Sequence, residues 1–282
     1  MIWKIRQNTV SFGRTLLMGI LNITPDSFSD GGRFLDPEAA CAQAVRLVEE
    51  GADILDLGAE STRPGALPVT DKEELERLLP VLKRVRKETS VPLSIDTVRP
   101  EIAKKCLEAG ADIINDVSGL RRSGREMAKA VKEFGAGIVL MHSRGTPQTM
   151  QTLAEYGEVT ADVMTELRES IRIATDAGID RESIVVDPGL GFAKTMEQNL
   201  EIMKNLGVFH GLELPVALGP SRKSFIGQVT GREVDEREFG TAACVASAVM
   251  NGIQIVRVHD VKAMRDVVRI TESIKRLSKS PS

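Results

Sequence analysis

LLMGILNITPDSFSDGG, Leu16 to Gly32, decides how the chain is read. Its opening apolar run, Leu16 to Leu21, has the length and composition of a strand buried on both faces. The run ends in Asn22, and the loop after it is too rich in Pro, Asp, Ser and Gly to pack into a core. A buried strand that brings one polar side chain to its C-terminal tip, beneath a loose loop, is how an α/β barrel builds a site.

Working outward, the same unit recurs. Ahead of it, Ile2–Ile5 and Thr9–Phe12 read as a hairpin that caps the bottom of a barrel. After it, Pro37–Glu50 has helical apolar spacing, with Pro37 in the first turn and Gly51 as the stop. Further strands are expected at Asp53–Leu57, Pro92–Ile95, Asp112–Ile114, Gly137–Met141, Ile184–Val186, Pro215–Leu218 and Ile253–Val256. Helices alternate with them. Thr70-x-x-Glu73 and Ser123-x-x-Glu126 read as capping boxes, and Pro80 is expected to bend or break the helix that contains it. A last amphipathic helix runs from Val261 to about Leu277. Eight β/α units after a hairpin predict a single (β/α)8 TIM barrel, residues 1–282 as one domain with 1–14 as the hairpin. The alternative, an open doubly wound sheet, favours a Gly-rich turn after the first strand, where Asn22-Ile23-Thr24-Pro25 stands instead.

Composition sets limits. With 42% apolar and 27% charged residues among 282, the chain can bury a large core. A net charge of -3, one Trp and one Tyr speak against nucleic acid as a partner. Cys41, Cys106 and Cys244 have neither zinc nor disulfide spacing and read as helix-packing thiols. No apolar run is long enough to span a bilayer and no signal peptide opens the chain, so a cytoplasmic protein without membrane contact is expected.

The strand tips are Asn22, Asp96, Asn115, Asp187, Lys223, Arg257 and His259. Each alone has a bland reading. A carboxylate at a strand end often caps the next helix, which would suffice for Asp96 or Asp116. His142 and His259 read singly as satisfied core histidines, His210 is assigned nothing, and Arg222 with Lys223 could be a solvated pair. A barrel, however, gathers every strand end into one mouth. Carboxylates, an amide and an ammonium there suit the donor–acceptor edge of a flat heterocycle. Arg257 and His259, two apart on one strand and next to the strand of Asn22, suit a phosphate or pyrophosphate. Such a site suits Mg²⁺ held mostly by the anion and water, with Asn22 as one oxygen ligand.

The segments MGILNITPDSFSDGG, DLGAESTRPG, LSIDT, INDVSG, DPGLGFAKT, GPSRKSFIG and RVHDV stand in the order seen in the dihydropteroate synthases, and the chain resembles that family along nearly its whole length. The resemblance implies a Mg²⁺-dependent (β/α)8 transferase of folate biosynthesis, usually a homodimer and a sulfonamide target. It would condense 6-hydroxymethyl-7,8-dihydropterin diphosphate with 4-aminobenzoate, giving 7,8-dihydropteroate and pyrophosphate. It implies pterin-ring partners at Asp187, Asn115, Asp96 and Lys223, with Met141 and the Arg257 guanidinium as plates on the ring. It implies Asn22, Arg63, Arg257 and His259 around pyrophosphate, with Asn22 on the metal. It implies Phe28, Thr62, Pro64 and Phe192 as aminobenzoate walls, and Ser224 as the receiver of its carboxylate. Asp96, Lys223, Arg257 and His259 would carry the catalysis. Asp96 would stabilise a pterin cation as the C–O bond breaks, and the arylamine would attack without a general base. Ala59, Pro220 and Ser143 depart from the family pattern, which bears on the shape of the aminobenzoate pocket and on sulfonamide sensitivity.

Within this fold the rival is a non-condensing pterin-binding barrel of the methyltetrahydrofolate–corrinoid methyltransferase type, which accounts for Asp96, Asn115 and Asp187 but not for the long loops or for Ser221-Arg222-Lys223. Two further expectations follow. Gly240–Asn251 is apolar or small on every side, which predicts burial against a second subunit. The loops Thr24–Arg33 and Thr62–Val69 have few apolar residues, so aminobenzoate is expected to bind only after pterin, Mg²⁺ and pyrophosphate.

Overall fold

The structure, a computed structural model, describes residues 1–24, 36–61 and 65–277. Phe28, Thr62, Arg63 and Pro64 therefore lie outside the described residues, as does most of the basis for an ordered binding sequence. Strands β1 (Ile2–Ile5) and β2 (Asn8–Ser11) pair antiparallel, with Arg6 at the turn in the left-handed region at φ 54°. Then come β3 (Leu16–Asn22), β4 (Ile54–Gly58), β5 (Leu93–Asp96), β6 (Ile113–Asp116), β7 (Gly137–Met141), β8 (Ile184–Asp187), β9 (Ala217–Leu218) and β10 (Ile255–Val258). These eight are parallel in the order β8-β7-β6-β5-β4-β3-β10-β9, and a single bridge, Val186 to Val216, joins the two ends. The sheet is thereby a barrel.

Helices α1 (Pro37–Glu50), α2 (Asp71–Glu88), α3 (Pro100–Glu108), α4 (Gly124–Phe134), α5 (Val159–Asp176) and α6 (Met196–Lys204) follow successive strands. Helices α7 (Ser224–Thr230) and α8 (Glu238–Met250) both follow β9, and α9 (Val261–Leu277) ends the ring. The local reasons are those expected for α1: Asp36 caps it by accepting from the Glu38 N–H at 2.9 Å, and Gly51 ends it at φ 110°. The Thr70–Glu73 capping box forms at the start of α2. Pro80, by contrast, neither breaks nor ends α2. It sits on the exposed face, where water can take the carbonyl that it frees. The second expected capping box also fails. Ser123 has helical φ and ψ, and its hydroxyl donates to buried Asp116 instead of capping α4.

The hairpin plugs the barrel's N-terminal end. Trp3 and Ile5 are buried against Leu16, Met18, Ile113, Val139, Val185 and Ile255, and the Trp3 indole donates to the Ser183 carbonyl at 2.9 Å. A Cβ at position 137 would come within 3.1 Å of the Trp3 ring, so Gly137 is what lets the indole seat. With the bottom closed by apolar packing, the polar strand ends are left to the opposite mouth. Among the described residues no helix is long and apolar enough to cross a membrane.

Candidate active site

Arg257 is the centre of the mouth. From β10 its Nε donates to Asp56 on β4, and its Nη2 donates to Asp96 on β5 at 3.0 Å. Asn115, one strand further on β6, donates its Nδ2 to the same Asp56 oxygen at 3.1 Å. Asp56, Asp96 and Asn115 are all buried. A fork of five donors on a rigid plane can serve two carboxylates on adjacent strands; a lysine cannot. Burial opposes the charge of Arg257, but Asp56 and Asp96 outweigh it and hold the guanidinium above its usual range.

Asp56 was not among the sequence candidates. The signal existed: an acidic residue inside the apolar strand Ile54–Gly58 must find a cation or leave the core.

Asp187 ends β8, and its Oδ1 accepts from the Gly189 N–H at 2.7 Å. Burial raises its pKa to about 6, against the pull of that hydrogen bond and of Lys223 and Arg257. Burial likewise raises Asp96 to about 7, with Arg257 opposing it and Asp56 adding to it. Asp116 plays the bland part: both its oxygens accept bonds within the turn from Ser118 to Ser123.

Around these polar tips stands an apolar rim of Met141, Met150, Phe192, Ala193 and Val117. Lys223 reaches over it, its Nζ 4.2 Å from the centre of the Phe192 ring, while Ser224 opens α7 and is exposed. Arg222 turns the other way, at φ 59°, to within 3.9 Å of Asp235 and 3.8 Å of Asp260. His259 follows β10, and its Nδ1 lies 2.9 Å from the Ser221 hydroxyl. Asn22 is half-buried at the end of β3, in register with Gly58. The structure thus joins Asp96 to Arg257 directly and Asn115 to Arg257 through Asp56, and sets Asp187 and Lys223 beside them. It pairs His259 with Ser221, while the described contacts of Arg257 run to carboxylates. A cavity of about 380 Å³ opens beside Asp96, between Val117, Met150 and Phe192 on one side and Ala66, Pro68 and Gln148 on the other.

The divergence of neighbours Arg222 and Lys223 sets an expected result. If Lys223 takes the ring-binding part that the resemblance gives it, Lys223→Gln should weaken pterin binding by roughly 1–3 kcal/mol, the worth of a charge-assisted bond to a partly buried acceptor. Arg222→Gln should leave it nearly unchanged. Calorimetric titration with a pterin decides, and equal losses would contradict the geometry.

The whole chain has the same character. The "Pterin binding enzyme" family model matches residues 18–259. Dihydropteroate synthase of Synechocystis sp. is 46% identical over 264 residues, covering 93% of this chain and 91% of that protein. Dihydropteroate synthase of Yersinia pestis, solved with a sulfonamide drug complex, superposes with a TM-score of 0.92 at 37% identity, covering 98% of this chain and 100% of that one. The Xanthomonas albilineans enzyme, solved with 4-aminobenzoic acid, gives 0.91 at 40% identity and covers all of both chains. These likenesses, covering 93% of the chain or more, favour the synthases over the methyltransferase reading. The chain belongs to the pterin binding enzymes, within the dihydropteroate synthase family.

Proposed function

We propose that this chain condenses 6-hydroxymethyl-7,8-dihydropterin diphosphate with 4-aminobenzoate, releasing pyrophosphate and forming 7,8-dihydropteroate. The observation that carries the reading is the buried Asp56–Arg257–Asp96 network, with Asn115, Asp187 and Lys223 beside it under an apolar rim. It offers acceptors, donors and a flat cation to a polar ring. Asp187, Asn115 and Lys223 hold the ring, with Met141 and Arg257 as its plates. The C–O bond breaks, and the pair of electrons leaves with pyrophosphate, which Asn22 and His259 receive. Asp96 stabilises the positive charge left on the pterin. The arylamine nitrogen attacks with its own lone pair and sheds a proton to water. Phe192 walls the arylamine, and Ser224 takes its carboxylate.

Magnesium fits by shared ligation. Among the described residues no group of three His, Cys, Asp or Glu could hold a metal, whereas Asn22 supplies one hard oxygen at the mouth. That suits an ion that keeps its waters and binds substrate phosphates. Asn22 would hold it, and the ion would neutralise charge on the leaving pyrophosphate. Pyrophosphate release measured with each substrate omitted tests the reaction; no release with both present would overturn it. Sulfonamides should compete with aminobenzoate in that assay. The free thiols of Cys41, Cys106 and Cys244, buried or half-buried, suit the reducing cytoplasm.

The pH dependence has a definite sign. Ring N–H donors need ionised acceptors, while Asp187 rests at about 6 and Asp96 at about 7. Below those values binding must expel protons. Pterin affinity should therefore fall as pH drops from 7, by roughly tenfold or more by pH 5. Calorimetry in two buffers of different ionisation enthalpy should register proton release; an affinity flat from pH 5 to 8 would contradict it.

A homodimer is part of the reading. One side of α8 packs on the barrel and α9, but the other exposes Phe239 (87%), Ala243 and Met250. Exposed Ile270, Ile274 and Leu277 of α9 supply a second apolar row on the packed neighbouring helix. A second copy can cover such a face by two-fold symmetry. Phe239→Asp with Ile270→Asp should convert the dimer to monomer in sedimentation at micromolar concentration; a monomeric unmodified protein would refute it.

A further inference from the structure

Lys194 is a buried charge for which the proposed reaction has no use. It is 3% exposed, at the end of the loop that follows β8, and its Nζ has three partners. These are the Gly189 carbonyl at 2.9 Å, the Phe192 carbonyl at 3.0 Å and His142 Nδ1 at 2.9 Å. Nε2 of the same imidazole lies 3.1 Å from Glu166, a carboxylate that also takes bonds from Arg121 and Arg144. Because Glu166 needs a donor, the ring proton belongs on Nε2, leaving Nδ1 as a bare acceptor. Each of the three ammonium hydrogens then has an acceptor. Burial, with Lys194, Arg121 and Arg144 nearby, pushes the imidazole well below its ordinary pKa, which agrees with a neutral ring. Burial also pushes Lys194 well below its ordinary pKa, with Arg144 and Lys223 adding to this, while the Asp187 carboxylate opposes it and the three acceptors on Nζ favour the protonated form.

The loop is wound around this ammonium. Gly189 at φ 71°, Gly191 at φ 80° and Ala193 at φ 48° curl the backbone so that its carbonyls face inward. The curl is tight: a Cβ at Gly189 would strike the His142 carbonyl at 1.9 Å. Two active-site groups hang from the same turns. The Gly189 N–H bonds Asp187, and Phe192 lies under the Lys223 ammonium. Gly191 lets the Lys223 stem pass, since a Cβ there would meet its Cδ at 3.0 Å.

We infer that Lys194 is a positioning residue: an internal ammonium that templates the loop 187–194 and so sets Phe192, Lys223 and Asp187 for the two substrates. The inference rests on the proposed condensation for its kinetic readout. Asp96 and Arg257 stand on β5 and β10, outside the loop, so the chemical step should survive its loosening.

The test compares Lys194→Met and Lys194→Ala with the intact enzyme. Lys194→Met keeps the volume and removes the donors. It should raise the KM for aminobenzoate at least tenfold and weaken pterin binding, with kcat changed less than threefold. In Lys194→Ala, n-propylammonium replaces the missing atoms and should restore KM, while n-propanol at equal concentration should not. A Lys194→Met enzyme with unchanged KM overturns the inference, as does equal recovery with the alcohol or no recovery with the amine. Nitrogen-15 spectra of His142 in the unmodified protein need no variant. They should show Nδ1 bare and Nε2 protonated, and a proton on Nδ1 also overturns the inference. If the intact enzyme releases no pyrophosphate, it is the proposed reaction that fails, whereas the His142 spectrum still judges the template.

Discussion

Arg257→Met should destabilise the protein by roughly 3–5 kcal/mol and abolish condensation. The guanidinium is the cation that Asp56 and Asp96 share, and Asp56 is wholly buried. Removing one partner of a buried ion pair leaves the other charge without compensation, which is why the cost far exceeds the worth of an exposed pair. For a chain of this size the loss should lower the melting temperature on the order of 10 °C. Arg257→Lys should recover only part of this, because a point charge cannot fork to carboxylates on two strands. Adding Asp56→Asn to Arg257→Met should restore stability, since the orphaned charge is gone, but not activity. Thermal melts of the single and double variants measure the coupling directly. Additive losses would mean that Asp56 and Arg257 do not depend on each other.

The second large effect is expected at Asp96. Asp96→Asn keeps the shape and hydrogen-bonding reach of the side chain but removes the charge that, in the proposed reaction, faces the developing pterin cation. A preorganised electrostatic contact of this kind is worth about 10²–10³ in kcat, so a loss of that order is expected, with a fall in pterin affinity beside it because a ring acceptor is lost. Stability should move in the opposite direction, and only at higher pH. Burial raises the folded pKa of Asp96 from 3.8 to about 7, so between those values the folded state holds a proton that the unfolded state has lost. Stability therefore falls as pH rises through that window, by roughly 1.4 kcal/mol per pH unit at most. Asp96→Asn removes that slope: it should match the intact protein near pH 4 and exceed it near pH 8. Single-turnover pyrophosphate release and melts at the two pH values read the two effects separately. A kcat within threefold of the intact enzyme would remove Asp96 from the chemical step.

Asp56, Asp96 and Asp187 are each costly in a core, and two of them are driven toward neutrality by burial. Arg257 makes the arrangement tolerable without neutralising every charge. What remains is an acceptor set prepared for a ligand that brings its own donors.

Much of this was legible in the sequence because its causes are local. An apolar run of strand length ending in a polar residue needs no knowledge of its neighbours to be read, and β3, β5, β6 and β8 all carry that mark. The box at Thr70 and the stop at Gly51 are equally local. Alternation of strand and helix then leaves few topologies, and a barrel collects the tips by construction, so Asp96, Asn115, Asp187, Lys223 and Arg257 come out as one set. Where reading failed, the setting in the fold had overridden a local preference. Ser123 is placed to cap α4, but buried Asp116 takes its hydroxyl. Pro80 is harmless only because of the face on which it falls.

Strand period and strand ends are properties of the chain alone, and they made Asp96, Asn115, Asp187, Lys223 and Arg257 readable as neighbours at the mouth, though not Asp56. Which of these side chains meet depends on how the ring closes. Arg257 and His259 stand two residues apart, yet the guanidinium spans the barrel to strands β4 and β5 while the imidazole turns to Ser221. Asp56 became a centre of the site through a partner 201 residues away, and Lys194 through one 52 residues away. Pairings of that kind follow from the closure of the ring and the desolvation of charge inside it. A buried ion must take whatever counter-charge the fold brings within reach.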